Sequence, residues 1–133
     1  MNGCHISGTI PSTIGLLTSL VVLEFGNSLL SGTIPFSMGN ISKLFTLDLS
    51  FIKLSGVIPT SICQLKNVQY LLLGNDNLTG TLPDCIGSLT QLHRIGLHNN
   101  QLSGTLPSSI GDLVQLRYFN LDDNQFIGTL PST

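Results

Sequence analysis

Charged residues are scarce in this 133-residue chain: Lys, Arg, Asp and Glu make up 9% of it, and the formal net charge is -2. Such a surface gives no electrostatic reason to expect nucleic acid or an anionic membrane as a partner. The most apolar run, residues 16–25, is interrupted by Thr18, Ser19 and Glu24, so it resembles neither a membrane span nor the core of a signal peptide. We therefore expect no nucleic-acid partner and no membrane span in this chain. A polar, weakly charged surface is more common on secreted proteins than on cytosolic ones.

Cysteine is also rare. Cys4, Cys63 and Cys85 are odd in number and form no closely spaced pair, so the sequence shows no metal motif and no evident disulfide framework. His93 and His98 are five residues apart with no cysteine or carboxylate to complete a coordination shell, so we expect no metal. We also expect no cofactor and no enzymatic activity, because there is no pairing of a nucleophile with a base and no phosphate-binding loop.

What the sequence does contain is a strict repeat. The pattern Gly-x-Ile/Leu-Pro recurs every 24 residues without insertion or deletion, and it includes all six prolines of the chain. It begins at Gly8, Gly32, Gly56, Gly80, Gly104 and Gly128. The whole chain, 1–133, is therefore predicted to be a single repeat domain with units 8–31, 32–55, 56–79, 80–103 and 104–127 and a partial unit at each end.

Apolar residues keep the same phase in every unit, for example Leu44, Leu47, Leu49 and Leu54 in the second. This is the L-x-x-L-x-L-x-x-N-x-L pattern of leucine-rich repeats. Alternation in L-x-L predicts one short strand per unit, at 23–25, 47–49, 71–73, 95–97 and 119–121. The predicted fold is an α/β solenoid, a right-handed leucine-rich-repeat superhelix with a parallel concave sheet and short 3-10 or helical turns on its convex side. In the first such turn, 12–17, Ile14 and Leu17 are expected to face inward.

The asparagine position of the repeat carries a separate prediction, because a buried Asn there hydrogen-bonds the turning backbone from coil to coil. It is occupied by Cys4, Ser28, Ile52, Asp76, Asn100 and Asn124. Asp76, Asn100 and Asn124 are the predicted structural ladder, whereas Ile52 offers neither donor nor acceptor. We therefore expect faster amide exchange at 20–49 than at 92–121. Ile52→Asn should stabilise the chain by about 1 kcal/mol, unless lost apolar packing outweighs the new hydrogen bonds.

With Gly-x-Ile/Leu-Pro following the asparagine position, the units resemble the plant-type subclass of leucine-rich repeats. The chain is similar to the ectodomains of plant receptor-like kinases and receptor-like proteins, and to polygalacturonase-inhibiting proteins, in a fragment or repeat-only form. The resemblance implies a non-catalytic, extracellular or cell-surface module whose concave face binds a protein or peptide ligand or a co-receptor. An inhibitor of a secreted polygalacturonase-type glycosidase is the alternative that the same resemblance offers.

The candidate binding residues lie at solvent-facing strand positions. Aromatic and arginine side chains are enriched in binding hot spots. The predicted site consists of Phe45, as an apolar anchor, and of Tyr70, His93, Arg94, Arg117 and Tyr118.

Two further sets of residues remain as hypotheses. Asn40-Ile41-Ser42 and Asn77-Leu78-Thr79 match the N-glycosylation pattern, although about two such matches are expected by chance in a chain so rich in Ser, Thr and Asn. A column of threonines, interrupted only at Val57, suggests an ice-binding solenoid as a third function. Its members are Thr9, Thr33, Thr81, Thr105 and Thr129.

Overall fold

The computed structural model describes residues 6–131. This part of the chain contains eleven short strands and five 3-10 helices, and a typical coil has two strands and one 3-10 helix. The strands are β1 (Ser7–Thr9), β2 (Val22–Glu24), β3 (Leu29–Ser31), β4 (Thr46–Asp48), β5 (Ser55–Val57), β6 (Tyr70–Leu72), β7 (Asn77–Gly80), β8 (Arg94–Gly96), β9 (Gln101–Gly104), β10 (Tyr118–Asn120) and β11 (Gln125–Phe126). The 3-10 helices are η1 (Ser12–Leu16), η2 (Phe36–Asn40), η3 (Thr60–Gln64), η4 (Asp84–Ser88) and η5 (Ser108–Asp112). Cys4 lies outside the described residues.

The predicted concave sheet is confirmed. Strands β2, β4, β6, β8 and β10 pair in this order, all parallel and in register at 24-residue spacing. Each strand begins one residue earlier than the leucine pattern predicted. The hydrogen bonding nevertheless runs on into the predicted range, because the Phe25 amide donates to the Asp48 carbonyl at 2.9 Å. The difference is therefore one of element boundaries rather than of register.

A second parallel ladder, which the sequence analysis did not predict, runs along the other side of each coil. It consists of β1 with β3, and of β5, β7, β9 and β11, and between β3 and β5 it is reduced to a single bridge from Gly32 to Leu54. The glycine of every Gly-x-Ile/Leu-Pro motif lies in this region with φ between 75° and 105°. Glycine tolerates this left-handed region at no steric cost, which explains its recurrence at this position.

The core is a stack of leucine and isoleucine columns between the concave sheet and the 3-10 helices. The proline of each motif directly precedes its 3-10 helix, and its carbonyl accepts the first turn's hydrogen bond, as Pro35 does from Met38. Ile41 and Leu65 are fully buried beneath these turns. Leu17, which was expected to face inward, is 50% exposed. It occupies the same repeat position in the first described 3-10 turn, where no described turn packs on its outer side.

The asparagine position links successive coils through side-chain hydrogen bonds. The Asn100 Oδ1 accepts from the Leu78 amide at 2.9 Å, and its Nδ2 donates to the carbonyls of Leu73 and Leu97 at 2.8 and 3.0 Å. Asn124 repeats this pattern one coil later. Asp76 accepts from the Leu54 amide at 2.9 Å, but its Oδ2 is buried without a partner. A carboxylate therefore reproduces the accepting half of the ladder and not its donating half.

The loop around Ile52 is rearranged relative to the other coils. Ile52 is fully buried, and its amide donates to the Asp76 Oδ1 at 3.0 Å, whereas the equivalent Asn100 amide donates to a backbone carbonyl. Lys53 adopts φ of 57°, a left-handed conformation that the corresponding residue of the other described coils does not share. This loop directly precedes the break in the second ladder.

A disulfide that was not evident from the sequence joins Cys63 and Cys85, whose Cα atoms are 5.9 Å apart. The two residues are 22 positions apart, so coil stacking brings them together without any local sequence motif. Cys63 occupies a column that is otherwise glycine, where a Cβ added to Gly39 or Gly87 would overlap a serine carbonyl of the next coil. At this step of the stack, η3 and η4 pack less closely than the neighbouring 3-10 helices do.

Candidate functional site

The concave sheet presents two columns of side chains to solvent, because the central residue of each strand points into the core. One column contains Val22, Thr46, Tyr70, Arg94 and Tyr118, and the other contains Glu24, Asp48, Leu72, Gly96 and Asn120. A third column immediately precedes the strands and contains Val21, Phe45, Gln69, His93 and Arg117. The predicted site residues all belong to the first and third columns.

Three of the predicted residues form a row across neighbouring coils. The rings of Phe45 and Tyr70 are 5.5 Å apart and tilted, and those of Tyr70 and His93 are 6.5 Å apart and nearly parallel. The Nδ1 of His93 lies 2.8 Å from the Gln91 carbonyl, which fixes the ring orientation. We call Phe45, Tyr70 and His93 the aromatic row. It offers a continuous, partly exposed surface across coils two to four.

Arg94 and Tyr118 form a second group. The Arg94 guanidinium carbon lies 4.2 Å from the centre of the Tyr118 ring, a cation–π geometry. The Tyr118 hydroxyl in turn accepts from the Asn120 Nδ2 at 3.2 Å. Arg117 is exposed in the column of His93 but belongs to neither group. The structure thus brings five of the six predicted residues into two adjoining groups.

A cavity of about 310 Å³ opens on the concave face beside these groups. It is lined by Gly26, Asn27, Asp48, Ser50, Phe51, Leu72, Arg94, Gly96 and His98. Of the predicted site, only Arg94 reaches it. The sequence signal for this cavity is the presence of glycine at concave positions, since Gly26 and Gly96 leave space where other coils carry Asp48, Ser50 or Leu72. We refer to it as the glycine cavity.

His98 lines the glycine cavity and is held there by its neighbours. Its ring lies so close to Gly74 that an added Cβ there would approach it to 2.6 Å. The Asn99 Nδ2 donates to the Asn75 Oδ1 at 2.9 Å, so the Asn75 Nδ2 faces the His98 Nε2 at 3.0 Å as a donor. The Nδ1 of the same ring is buried without a hydrogen-bond partner.

Charged side chains of both signs lie along the concave face. Glu24 and Asp48 lie in the first two coils, Arg94 and Arg117 lie in the last two, and Asp122 follows His98 in its column. The Asp48 Oδ1 accepts from the Ser50 amide at 3.0 Å, a local bond that holds the carboxylate at the edge of the glycine cavity. Asp48 on β4 and Arg94 on β8 both line the cavity, which therefore has an acidic end and a basic end.

Other predicted features have simpler settings. Asn40 lies at the end of η2 and Asn77 at the start of β7, and both side chains are exposed. Within residues 6–131, no three His, Cys, Asp or Glu side chains are grouped as a metal site requires. In the same part of the chain, no helix has the length and apolarity needed to cross a membrane.

Comparison with known families identifies the class. Two leucine-rich-repeat family models match residues 43–65 and 66–126, so together they cover the chain from 43 to 126 without a gap. The chain therefore belongs to the leucine-rich-repeat family. No curated protein matches it.

Solved structures place it among plant-type repeats. The Arabidopsis receptor kinase HAESA, solved with the peptide hormone IDA and the co-receptor SERK1, is 33% identical with a TM-score of 0.89 over 92% of this chain and 20% of that one. PEPR1–AtPEP1 is 35% identical with a TM-score of 0.91 over 96% and 18% of the two chains. The BIR3–SERK2 complex from Arabidopsis thaliana is 35% identical with a TM-score of 0.80 over 92% and 64%. The chain spans about a fifth of the length of the first two.

Proposed function

We propose that this protein is a non-catalytic recognition module that binds an extended peptide or a protein segment on its concave face. The observation that carries the proposal is the juxtaposition of the aromatic row, the Arg94–Tyr118 pair and the glycine cavity on one sheet. Large side chains that are partly exposed and already held by neighbours provide contact area at a low cost in conformational entropy.

The comparisons support a ligand of this kind. Similar structures include receptors that are described in complex with a peptide hormone or with a co-receptor. By analogy, we propose a peptide ligand and a co-receptor as partners, and an extracellular or cell-surface location. The Cys63–Cys85 disulfide supports that location, because disulfides persist in oxidising compartments.

Selection from a displayed library of random linear peptides tests the proposal. Against selected peptides, Tyr70→Ala, Arg94→Ala or Tyr118→Ala should each weaken binding by about 1 to 4 kcal/mol, as truncation of an interface anchor does. Convex Lys43→Ala and Gln64→Ala are the matched controls and should change binding by less than about 0.5 kcal/mol. Equal losses on both faces, or no selectable peptide, would overturn the proposal.

A second candidate function rests on the second ladder. Its threonines, at 9, 33, 81, 105 and 129, are all exposed. The Thr33 methyl lies over the left-handed Gly56 of the next coil, and Thr81 lies in the same way over Gly104, so the column is regular from coil to coil. A regular threonine array could order water at an ice surface. Ice recrystallisation assays of the wild type and of Thr81→Lys test this, and equal, absent activity in both would remove the candidate.

A further inference from the structure

The acidic end of the glycine cavity has features that the proposed function does not yet use. Asp48 is half-buried, and only one of its oxygens is engaged, by the amide of Ser50. Arg94, the guanidinium that lines the cavity, is stacked on Tyr118 instead of pairing with this carboxylate. The lining of the cavity also includes Phe51, which is 54% exposed. The Asp48 carboxylate and the Phe51 ring thus line the same cavity, and the arginine of that cavity is not paired with the carboxylate.

Phe51 is also an unusual residue for its position. The same column contains Asn27, Asn75, Asn99 and Asp123, and every member, Phe51 included, has φ between 53° and 62°. Asn and Asp tolerate this left-handed region, whereas an aromatic side chain there costs about 1 kcal/mol or more. Local stability therefore does not explain Phe51, and an exposed aromatic ring beside a cavity is suited to contact with a ligand.

From these observations we infer that the acidic end of the glycine cavity binds the guanidinium of an arginine side chain in the peptide ligand. This inference rests on the proposed function and specifies one residue of the ligand. A guanidinium can pair with the free oxygen of Asp48 while its planar face stacks on Phe51. Gly26 keeps the approach open, because an added Cβ there would lie 3.5 Å from both carboxylate oxygens.

Arg94 does not oppose this arrangement strongly. Strands β4 and β8 are two steps apart in the sheet, so Asp48 and Arg94 belong to backbones separated by about 10 Å. The Arg94 guanidinium is also held on the Tyr118 ring of β10, on the side of β8 away from β4, whereas a ligand guanidinium would contact the Asp48 carboxylate directly. The attraction to the nearby carboxylate therefore outweighs the repulsion from the more distant guanidinium.

Titration with a single residue tests the inference without knowledge of the whole ligand. The probes are N-acetyl-arginine N-methylamide and its uncharged analogue N-acetyl-citrulline N-methylamide, followed by amide NMR shifts of the intact chain. We expect saturable shifts at Gly26, Ser50 and Gly96, and an affinity for the arginine probe about fivefold higher than for citrulline, as one partly exposed ion pair provides.

Matched variants separate a site from a general charge effect. Asp48→Asn retains an oxygen for the Ser50 amide and should abolish the preference for arginine. Phe51→Asn restores the usual residue of the column and should weaken both probes. Glu24→Gln removes the same charge from the same column outside the cavity lining and should leave the preference intact. Equal affinity for both probes, shifts elsewhere only, or an equal loss in Glu24→Gln would overturn the inference.

The outcome is distinguishable from failure of the proposed function. Selected peptides that require Tyr70 but bind equally well to Asp48→Asn would leave the proposed function standing and remove the arginine inference. A chain that selects no concave-face peptide, yet prefers the arginine probe at Asp48, would support the cavity and contradict the peptide-binding function.

Discussion

Asp76→Asn should stabilise the chain at neutral pH and remove most of a pH dependence that this residue imposes. Asn100 and Asn124 use their amide groups to donate to carbonyls 27 and 3 residues earlier. At Asp76 the same spacing points to the carbonyls of Leu49 and Leu73. The Oδ2 that faces this region is buried and has no partner. An ionised carboxylate can only repel these carbonyl oxygens, whereas an amide would donate to them.

The pKa of Asp76 reflects this environment. Burial raises it from 3.8 to about 6, and the nearby Asp48 carboxylate adds to the increase, whereas the backbone amides of Leu54, Ile52 and Lys53 oppose it. Because the pKa is higher in the folded than in the unfolded chain, the folded state holds its proton more tightly. Stability is therefore greatest below about pH 4, and it is lost as the pH rises through 6. A shift of about two units corresponds to about 3 kcal/mol.

Urea unfolding of wild type and Asp76→Asn between pH 4 and pH 8 measures the effect. The variant should be more stable by about 2 to 3 kcal/mol at pH 8, and by less than about 1 kcal/mol at pH 4, where the wild-type carboxyl is protonated. Asp112→Asn makes the same charge change on an exposed turn and is the control. Parallel pH profiles for wild type and Asp76→Asn, or a less stable variant at pH 8, would refute the reasoning.

Three further substitutions follow from the same structure. Phe51→Asn should raise the free energy of unfolding by about 1 kcal/mol, because Asn suits the left-handed backbone; urea denaturation measures it. The double change Cys63→Gly with Cys85→Ser restores the usual residues of both columns. It should nevertheless cost about 3 kcal/mol relative to the oxidised wild type, because it removes a cross-link over 22 residues. Ile52→Asn should lower stability by about 1 to 2 kcal/mol, because lost apolar burial exceeds the hydrogen bonds gained.

Specific results would contradict each of these. A less stable Phe51→Asn would mean that the ring packs usefully in the free protein. Unchanged stability of the cysteine double variant would mean that closer packing of the two 3-10 helices replaces the cross-link, and reduced wild type provides the matched reference. A more stable Ile52→Asn would show that the loop can return to the geometry of the other coils.

Much of the fold was predictable because the repeat period acts on every coil alike. The leucine columns predicted a parallel concave sheet, since only stacking of equivalent positions buries them all. The second ladder was not predicted, because its strands contain or closely precede a left-handed glycine and resemble turns in sequence. The Cys63–Cys85 disulfide was missed for a related reason. Its 22-residue spacing differs from the 24-residue period, and only the stacked coils show that the two columns meet.

Part of the geometry of the candidate site was predictable. The alternation of strand residues gave Tyr70, Arg94 and Tyr118 solvent-facing positions, and all three are exposed in the structure. It could not show that Arg94 is turned onto Tyr118, which depends on side-chain conformation across two strands. The glycine cavity was missed because a search for large hot-spot residues ignores positions that have no side chain. Asp48 and Phe51 line a common cavity only because Gly26 and Gly96 have no side chains to fill it.

Ile52 shows how a substitution in a repeat is absorbed by its neighbours. From the sequence it was a missing hydrogen-bonding group, whose replacement by Asn should stabilise the loop. In the structure it is fully buried, and its amide has moved to the Asp76 carboxylate. Burial of such a side chain contributes about 2 to 3 kcal/mol, and each hydrogen bond of an asparagine contributes about 1 kcal/mol, so replacement by Asn is favourable only if the loop returns to the geometry in which Asn100 forms three. The loop nevertheless remains an interruption, since Lys53 is left-handed and the second ladder is reduced to one bridge beside it. Packing can therefore compensate for the energy of the missing asparagine without restoring the continuity of the second ladder. The expectation of faster amide exchange at 20–49 than at 92–121 now rests on the interruption of this ladder.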